Sequence, residues 1–367
     1  MRLEWVSLTD FRAHRSVRFE PDPGVNVLVG PNGSGKTSLL EAIGYLVMLR
    51  SFRGAPDASL VTVGSETSVV RGGFAGERRE VTVEVEIPFQ GRRRIRVGGK
   101  PVRSRADIAE GVTLVAFLPD DLDLVKRGPA MRREFIDDAC VQLWPSSAVE
   151  QREFDRSLRQ RNALLRTEGR YASDASLDAL DELVASRAAD VLARRLAAMS
   201  LLGEAVGQVY RQLSDAAEDL SWAYDSSGAV ASGTASRDEL AEGTLDRMRA
   251  ARGLDKDRRT TTIGPHRDEL TLTVGDRDAR TRASQGEQRS IALALRVALY
   301  RALADRREEA PILLLDDVFS ELDPDRSDRL VQQLPGGQVF VTSARAEEVP
   351  LVGRRWSVLP GEVRPDD

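Results

Sequence analysis

The chain is 367 residues long and 41% hydrophobic, enough to bury a sizeable core and to form roughly two domains. Its net charge of −5 excludes a histone-like, globally basic binder but leaves a local basic patch open. No apolar run reaches the ~18 residues of a membrane span, the opening MRLEWVSLTDF lacks the order of a signal peptide, and the single cysteine, Cys140, leaves no disulfide framework and reads as a small core residue in a reducing cytoplasm.

Up to about residue 117 the chain reads mostly as strands. VRF (17–19) and VNVLV (25–29) flank PDPG, whose prolines and glycine mark a hairpin or loop. VTVEVEI (81–87) alternates with period two, as a half-buried strand does, and RRRIRV (92–97) follows a turn at Gly91, so the two form a hairpin. After FLPDDLDLVKRGP the composition shifts to Ala, Leu, Arg and Glu, from about 131 to 251. Leu177, Leu180, Val184, Val191, Met199, Leu202, Val206 and Tyr210 approximate one stripe of a long helix. A helix near 150–165 is expected antiparallel to it, across RTEGRYASDAS. Strict heptads do not persist, so this is a helical insert and not an extended coiled coil. DSSGAVASGTAS (225–236) is expected as a mobile loop. ELTLTVGDRDART then reads as a hairpin around Gly275 and Asp276, followed by a helix at 288–307, a buried strand at 312–315, a helix at 326–334 and a strand at 338–342.

Three stretches carry chemistry. LVGPNGSGKTSLLEAI (28–43) fits the phosphate loop GxxxxGK[ST], with Gly30, Pro31, Asn32, Gly33, Ser34 and Gly35 leading into Lys36, Thr37 and Ser38. Glycines let backbone N–H groups turn toward phosphate oxygens, and the helix that follows points its positive end at them. Lys36 supplies a point charge at the β/γ phosphates of ATP, and Thr37 a hydroxyl suited to Mg²⁺. The basic residues are otherwise nearly all arginine, with only Lys36, Lys100, Lys126 and Lys256 as lysines. In ILLLDDVFSELD, four apolar residues bring Asp316 to a strand's carboxyl end, where it can hold Mg²⁺, while Asp317 can orient or deprotonate an attacking water. SQGEQRS (284–290), ahead of the apolar IALALRVAL, taken alone also fits a helix-capping box from Ser284 to Glu287.

Together, phosphate loop, SQGEQ and LLLDD resemble the ABC-type ATPases, and SELD (320–323) resembles their D-loop. That resemblance implies an α/β head with a split P-loop β/α domain, a β-rich lobe and an inserted helical arm. The expected division is 1–130 and 256–367 for the two parts of the head and 131–255 for the arm. It also implies that Ser284, Gln285 and Gly286 contact the nucleotide held by a second copy of the chain. A transporter-type head would carry LSGGQ and a histidine where Thr342 stands, and the only histidines are His14 and His266. No Q-loop glutamine is evident, Gln90 and Gln142 fitting poorly, and Asp120 and Asp121 occupy that region.

LTDFRAH (8–14), RSFR (50–53), FLPDDLDLVKRGPAMRREFID (117–137), RQRNALL (159–165) and TIGPHRDEL (262–270), in order with the nucleotide motifs, resemble the RecF family of bacterial recombination mediators, in the SMC-like branch of ABC ATPases. The resemblance implies a cytoplasmic, ATP-dependent homodimer that binds DNA at gaps and junctions, works with RecR and RecO to help load RecA, and hydrolyses ATP slowly, with DNA stimulating it. It places Arg12 near the nucleotide. The alternative is another SMC-like ATPase acting on chromosome structure or phage defence. Sequence-independent DNA contacts need arrayed cations. The candidates are Arg92, Arg93, Arg94, Arg96, Lys100, Arg103 and Arg105, with Lys126, Arg127, Arg132 and Arg133 as second choice. Either set can equally be a solvated basic edge. Aromatics are not interleaved with these arginines, so base stacking is not expected.

Overall fold

The computed structural model describes residues 1–77, 79–102, 104–214, 218–226, 235–334 and 336–366. They form two compact units: Met1–Leu122, Val209–Asp215 and Arg289–Asp367 in one, Asp123–Gln208 and Ala216–Gln288 in the other. Residues 256–288, grouped with the head on sequence grounds, cluster with the helical unit.

Buried apolar residues anchor the first strands of this unit: β1 (Arg2–Phe11), which buries Leu3, Val6, Leu8 and Phe11, then β2 (His14–Phe19) and β3 (Val25–Val29). Helix α1 (Lys36–Met48) follows, then β4 (Thr67–Ala75), β5 (Glu80–Pro88), β6 (Arg94–Val97), β7 (Lys100–Val102), α2 (Arg105–Ala109) and β8 (Leu114–Phe117). The helical segment comprises α3 (Leu122–Lys126), α4 (Pro129–Leu143), α5 (Ser147–Glu168), α6 (Asp174–Leu213), β9 (Leu220–Asp225) and α7 (Arg237–Arg258). The hairpin β10 (Glu269–Val274) and β11 (Arg277–Asp278) leads through α8 (Ala279–Arg282) into α9 (Gln285–Arg307). The chain ends with β12 (Ile312–Asp316), α10 (Pro324–Gln333), β13 (Val339–Ser343), β14 (Arg354–Leu359) and β15 (Glu362–Pro365).

Two sheets shape the first unit. One is antiparallel, in the order β2-β1-β4-β5-β6-β7, and includes the expected β5–β6 hairpin. The other runs β15-β14-β3-β13-β12-β8, with all neighbours parallel except the β14–β15 edge pair. β2 and β3 lie in different sheets, so PDPG is a link between sheets and not a hairpin. Helix α1 is buried nearly all round, from Leu39 to Met48, because its side chains join one core with Leu3, Val70 and Val83 of the antiparallel sheet and with Leu114, Leu314 and Phe340 of the parallel one. Each such leucine or valine contributes about 1.5–3 kcal/mol by leaving water, so the start of α1 is fixed from both sides.

In the second unit α5 and α6 are antiparallel, as expected. Glu150 pairs with Arg194, Glu153 with Arg187 and Arg161 with Asp181, so one helix ascends as the other descends. Phe154, Val184, Ala188, Val191 and Met248 form their shared core with α7. Strand β9, which no sequence pattern announced, pairs with β10. Of the expected loop at 225–236, residues 227–234 lie outside the described residues. No helix among the described residues is long and apolar enough to cross a membrane.

Candidate nucleotide site

The parallel register brings three strand ends level: Asp316 lies opposite Thr342, Thr342 opposite Leu28, and Ser343 opposite Val29. The phosphate loop leaves from Val29, so it opens at the carboxyl edge of the sheet, where ligands bind in open α/β folds. Gly35 caps α1 at φ 106 with no side-chain cap bond. A Cβ there would stand 2.5 Å from His14 Nε2, so only glycine fits. The first N–H groups of α1 therefore lack a side-chain cap and face the loop, a ready anion site. Lys36, 9% exposed, donates from Nζ to the Gly30 carbonyl at 2.6 Å and the Pro31 carbonyl at 3.1 Å. Burial lowers its pKa, and the charges of Asp317 and Asp316 oppose that shift.

Asp316 and Thr37, far apart in sequence, meet here: Thr37 Oγ1 donates to Asp316 Oδ1 at 2.9 Å. Thr342 Oγ1 donates to the same carboxylate oxygen at 2.7 Å and accepts the Asp317 N–H at 2.9 Å. Burial raises the Asp316 pKa, the bonds from Thr342 and Thr37 pull it back, Asp317 raises it and Arg53 lowers it. Asp317 is exposed and sits in the left-handed region at φ 53, a conformation that costs an L-residue about 1 kcal/mol. Ser320 Oγ holds its carbonyl from the other side at 2.8 Å. The Thr37 hydroxyl and Asp316 carboxylate are a hard-oxygen pair of the kind Mg²⁺ takes when phosphates and water complete its shell.

His14 was not singled out by sequence, yet it is fully buried beneath the loop. Its Nδ1 accepts the Gly361 N–H at 3.3 Å, so Nε2 carries the proton and donates to the Gly35 carbonyl at 3.0 Å. Burial lowers its pKa, keeping this tautomer neutral. Arg12 forms a two-pronged pair with Glu41 of α1, both bonds at 2.9 Å, and donates to the Ser59 carbonyl. Ser51 also donates to Glu41, which ties the RSFR stretch to the FRAH stretch through one buried carboxylate. A lone Glu inside an apolar helix was the signal, legible only once its partners were known.

Ser284, in the second unit, makes the capping box: its Oγ accepts the Glu287 N–H at 3.2 Å and its own N–H donates to Glu287 Oε2 at 2.7 Å. Ser284 and Gln285 remain exposed and Gly286 half-buried, so the cap leaves the front of α9 open. These bonds, with Arg277, lower the Glu287 pKa. In the first unit Asp323 caps α10, and Arg289 reaches Glu321 at 2.7 Å, linking α9 to the SELD segment. Asp121 is committed elsewhere: it takes Arg296 at 2.7 Å and the Leu118 N–H at 2.9 Å, while Asp120 is exposed.

Of the basic candidates, Arg92 and Lys100 are exposed. Arg93 is bound into the fold by the Leu49 carbonyl, Tyr45 and Asp57. Arg94 pairs with Glu86 and Arg96 with Glu84, each directly across the strand pair. Arg105 is half-buried, and Arg103 lies outside the described residues. In the second set, Lys126 is exposed, Arg127 pairs with Asp123, and Arg133 donates to the Asp268 carbonyl. Arg132, 5% exposed, bonds Glu269 and the carbonyls of Leu124, Val125 and Arg127.

Comparison with known proteins places this geometry. The family model described as RecF/RecN/SMC N terminal domain matches residues 2–359. A Kineococcus radiotolerans protein named DNA replication and repair protein RecF is 40% identical, covering 96% of this chain and 95% of its own length. One of the same name from Acidothermus cellulolyticus is 39% identical, with 100% of both chains covered. The solved structure of the recombination mediator RecF with ATP, in the RecFOR pathway, is 29% identical and matches with a TM-score of 0.91 over 100% of this chain and 99% of that one. An SMC head bound to the C-terminal winged-helix domain of ScpA shares the fold, with a TM-score of 0.56 at 17% identity over 100% of this chain and 97% of its own. The chain belongs to the RecF group of the RecF/RecN/SMC family, built on an ABC-type ATPase head.

Proposed function

We propose that the chain is a recombination mediator of DNA replication and repair that uses ATP to switch a homodimeric clamp on DNA. The observation that carries this is the Lys36, Thr37–Asp316–Thr342 and Asp317 constellation at the sheet edge, in a family whose solved relative is RecF with ATP. In this reading Lys36 exchanges the Gly30 and Pro31 carbonyls for the phosphates of ATP, and the open first turn of α1 receives their charge. Thr37 and Asp316 would hold Mg²⁺, which neutralises phosphate charge. Asp317 orients the attacking water, and being one methylene shorter than glutamate it makes turnover slow. Ser284, Gln285 and Gly286 of a second copy cover the nucleotide, so ATP becomes part of the dimer interface and its loss opens the clamp. The partners are sequence-independent duplex and gap-junction DNA, with RecR docking directly and RecO and RecA in the same pathway. The relatives' names support the replication and repair setting.

Two variants test the reading together. Lys36→Met is expected to abolish ATP binding and ATP-dependent dimerisation, read by equilibrium titration and light scattering. Ser284→Arg is expected to bind ATP like the wild type yet stay monomeric. ATP-driven dimers of Ser284→Arg would overturn the shared-site arrangement, and rapid turnover of the wild type without DNA would overturn the switch.

A further inference from the structure

Residues 169–171 and 256–259 meet where α5 and α7 end. Gly169 caps α5 at φ 54 and ψ −124, a conformation that favours glycine. A Cβ there would stand 3.3 Å from Arg259 Nε, so the bare backbone leaves room for the Arg259 side chain beside the turn. Arg259 is itself a left-handed cap, at φ 54, on α7. Tyr171, two residues beyond Gly169, is 93% exposed.

Charge at this end is uneven. Arg170 pairs with Asp257 at 2.8 Å and Lys256 with Asp174 at 2.9 Å, which uses up both aspartates. Arg166, Arg258 and Arg259 are exposed and form no ion pair among the described residues, against a single exposed carboxylate without one, Glu168. Arg166 and Arg258 lie in the last turns of α5 and α7, where a cation offsets the helix dipole. The dipole explains neither the left-handed Arg259 beside Gly169 nor a tyrosine ring turned wholly to solvent.

We infer that this turn is a platform for single-stranded DNA, with an unpaired base stacked on Tyr171 and the flanking phosphates on Arg259, Arg258 and Arg166. An aromatic face with cations around it is how proteins hold single strands without reading sequence, because every base has a π-face and every nucleotide a phosphate. In a duplex both faces of each base are already stacked, so Tyr171 distinguishes a gap from intact DNA. Of the arginines, only Arg166 and Arg170 stand close to Tyr171 along the sequence. The fold adds Arg258 and Arg259 by bringing Gly169, two residues before Tyr171, beside Arg259. The inference rests on the DNA-binding function proposed above and adds the place on the chain where the unpaired strand of a gap is held.

The test uses the full-length protein with ATP and labelled gapped, single-stranded and blunt duplex DNA, read by anisotropy. Tyr171 is almost wholly exposed, so its replacement leaves the core intact. Tyr171→Ala is expected to weaken gapped and single-stranded binding about 5- to 100-fold and duplex binding by less than about twofold, with Tyr171→Phe close to wild type. Arg259→Ala should show the same preference, and 5-iodouracil placed in the gap should crosslink to Tyr171. Unchanged gapped binding, an equal loss on all three DNAs, or a loss confined to binding of purified RecR would each overturn the platform. The last would make the turn a protein contact. If the wild type binds none of the three DNAs, the DNA-binding function itself falls, a result separable from failure of the variants alone.

Discussion

The Thr342 hydroxyl spends its proton on Asp316 and its lone pair on the Asp317 N–H, so one side chain fixes both acidic neighbours. Replacing it by valine keeps the shape and the strand preference but removes both bonds. Asp317 then loses the contact that stabilises its left-handed backbone, and Asp316 loses one of the two donors that hold its pKa down. Hydrogen bonds to charged groups are worth about 1.5–3 kcal/mol. Since neither bond touches the phosphate loop, the loss should fall on turnover and not on binding. Thr342→Val is expected to bind ATP within about threefold of wild type while hydrolysing it about 10- to 100-fold more slowly. Thr342→Ser, which keeps both bonds, should recover most of the rate. The acid limb of the rate profile should move to higher pH in the valine variant, because the Asp316 carboxylate protonates more readily. A variant that loses affinity and rate equally would show Thr342 to be structural only. The phosphate loop and LLLDD were legible in the sequence because their spacing is local; Thr342, His14 and Glu41 were not, because their partners lie on other strands or loops.

Within the helical unit, the RQRN and GPHRD stretches turn out to be the joint between its elements. Arg161 of α5 is wholly buried and reaches Asp181 of α6 at 2.6 Å, Asp255 of α7 at 2.7 Å and the Thr261 hydroxyl at 2.9 Å. Asn162 accepts the Thr261 N–H and hydroxyl, both at 2.7 Å. Removing the central cation leaves two buried carboxylates short of a partner, so Arg161→Leu should destabilise the unit by about 3–5 kcal/mol in urea unfolding. A loss below about 1 kcal/mol would mean the pairs merely fill space. His266 packs against Phe154 at 5.9 Å and bonds the Thr261 carbonyl through Nε2. Burial lowers its pKa from 6.5 to about 4, with Arg267 and Arg133 adding to the shift and Asp255 and the Thr261 bond opposing it. The unfolded chain therefore takes up a proton that the folded chain refuses. Stability is intact above pH 6.5 and is lost as pH falls toward 4, by up to about 3 kcal/mol. Melts of wild type and His266→Gln at pH 7.5, 6 and 5 should diverge, the variant losing less, and parallel curves would refute the assignment. The helix stripe of α6 was readable from periodicity. Strand β9 was not, because LSWAYD is short and takes its pairing from β10, far along the chain.

At the scale of the molecule, a net charge of −5 means the chain as a whole repels DNA, so binding depends on where cations are gathered. The hairpin picked from sequence gathers few: Arg94 and Arg96 face Glu86 and Glu84, and Arg93 is spent on the fold. Sequence showed the arginine run but not the glutamates opposite, which only strand register supplies. In the proposed clamp, dimerisation would double the limited set of free cations that each copy offers. Counterion release gives this a measurable form, since log K falls against log salt with a slope of about −0.9 per phosphate neutralised. If ATP assembles two copies on one duplex, the slope with ATP should be about twice the slope without it. Ser284→Arg, expected to keep its nucleotide without closing, should hold the shallower slope at any ATP concentration. Lys36→Met should match it for the different reason that nothing binds the loop. A wild type whose slope is indifferent to ATP would mean that each copy already makes all its phosphate contacts alone. The nucleotide would then govern which partner is held and not how tightly DNA is gripped.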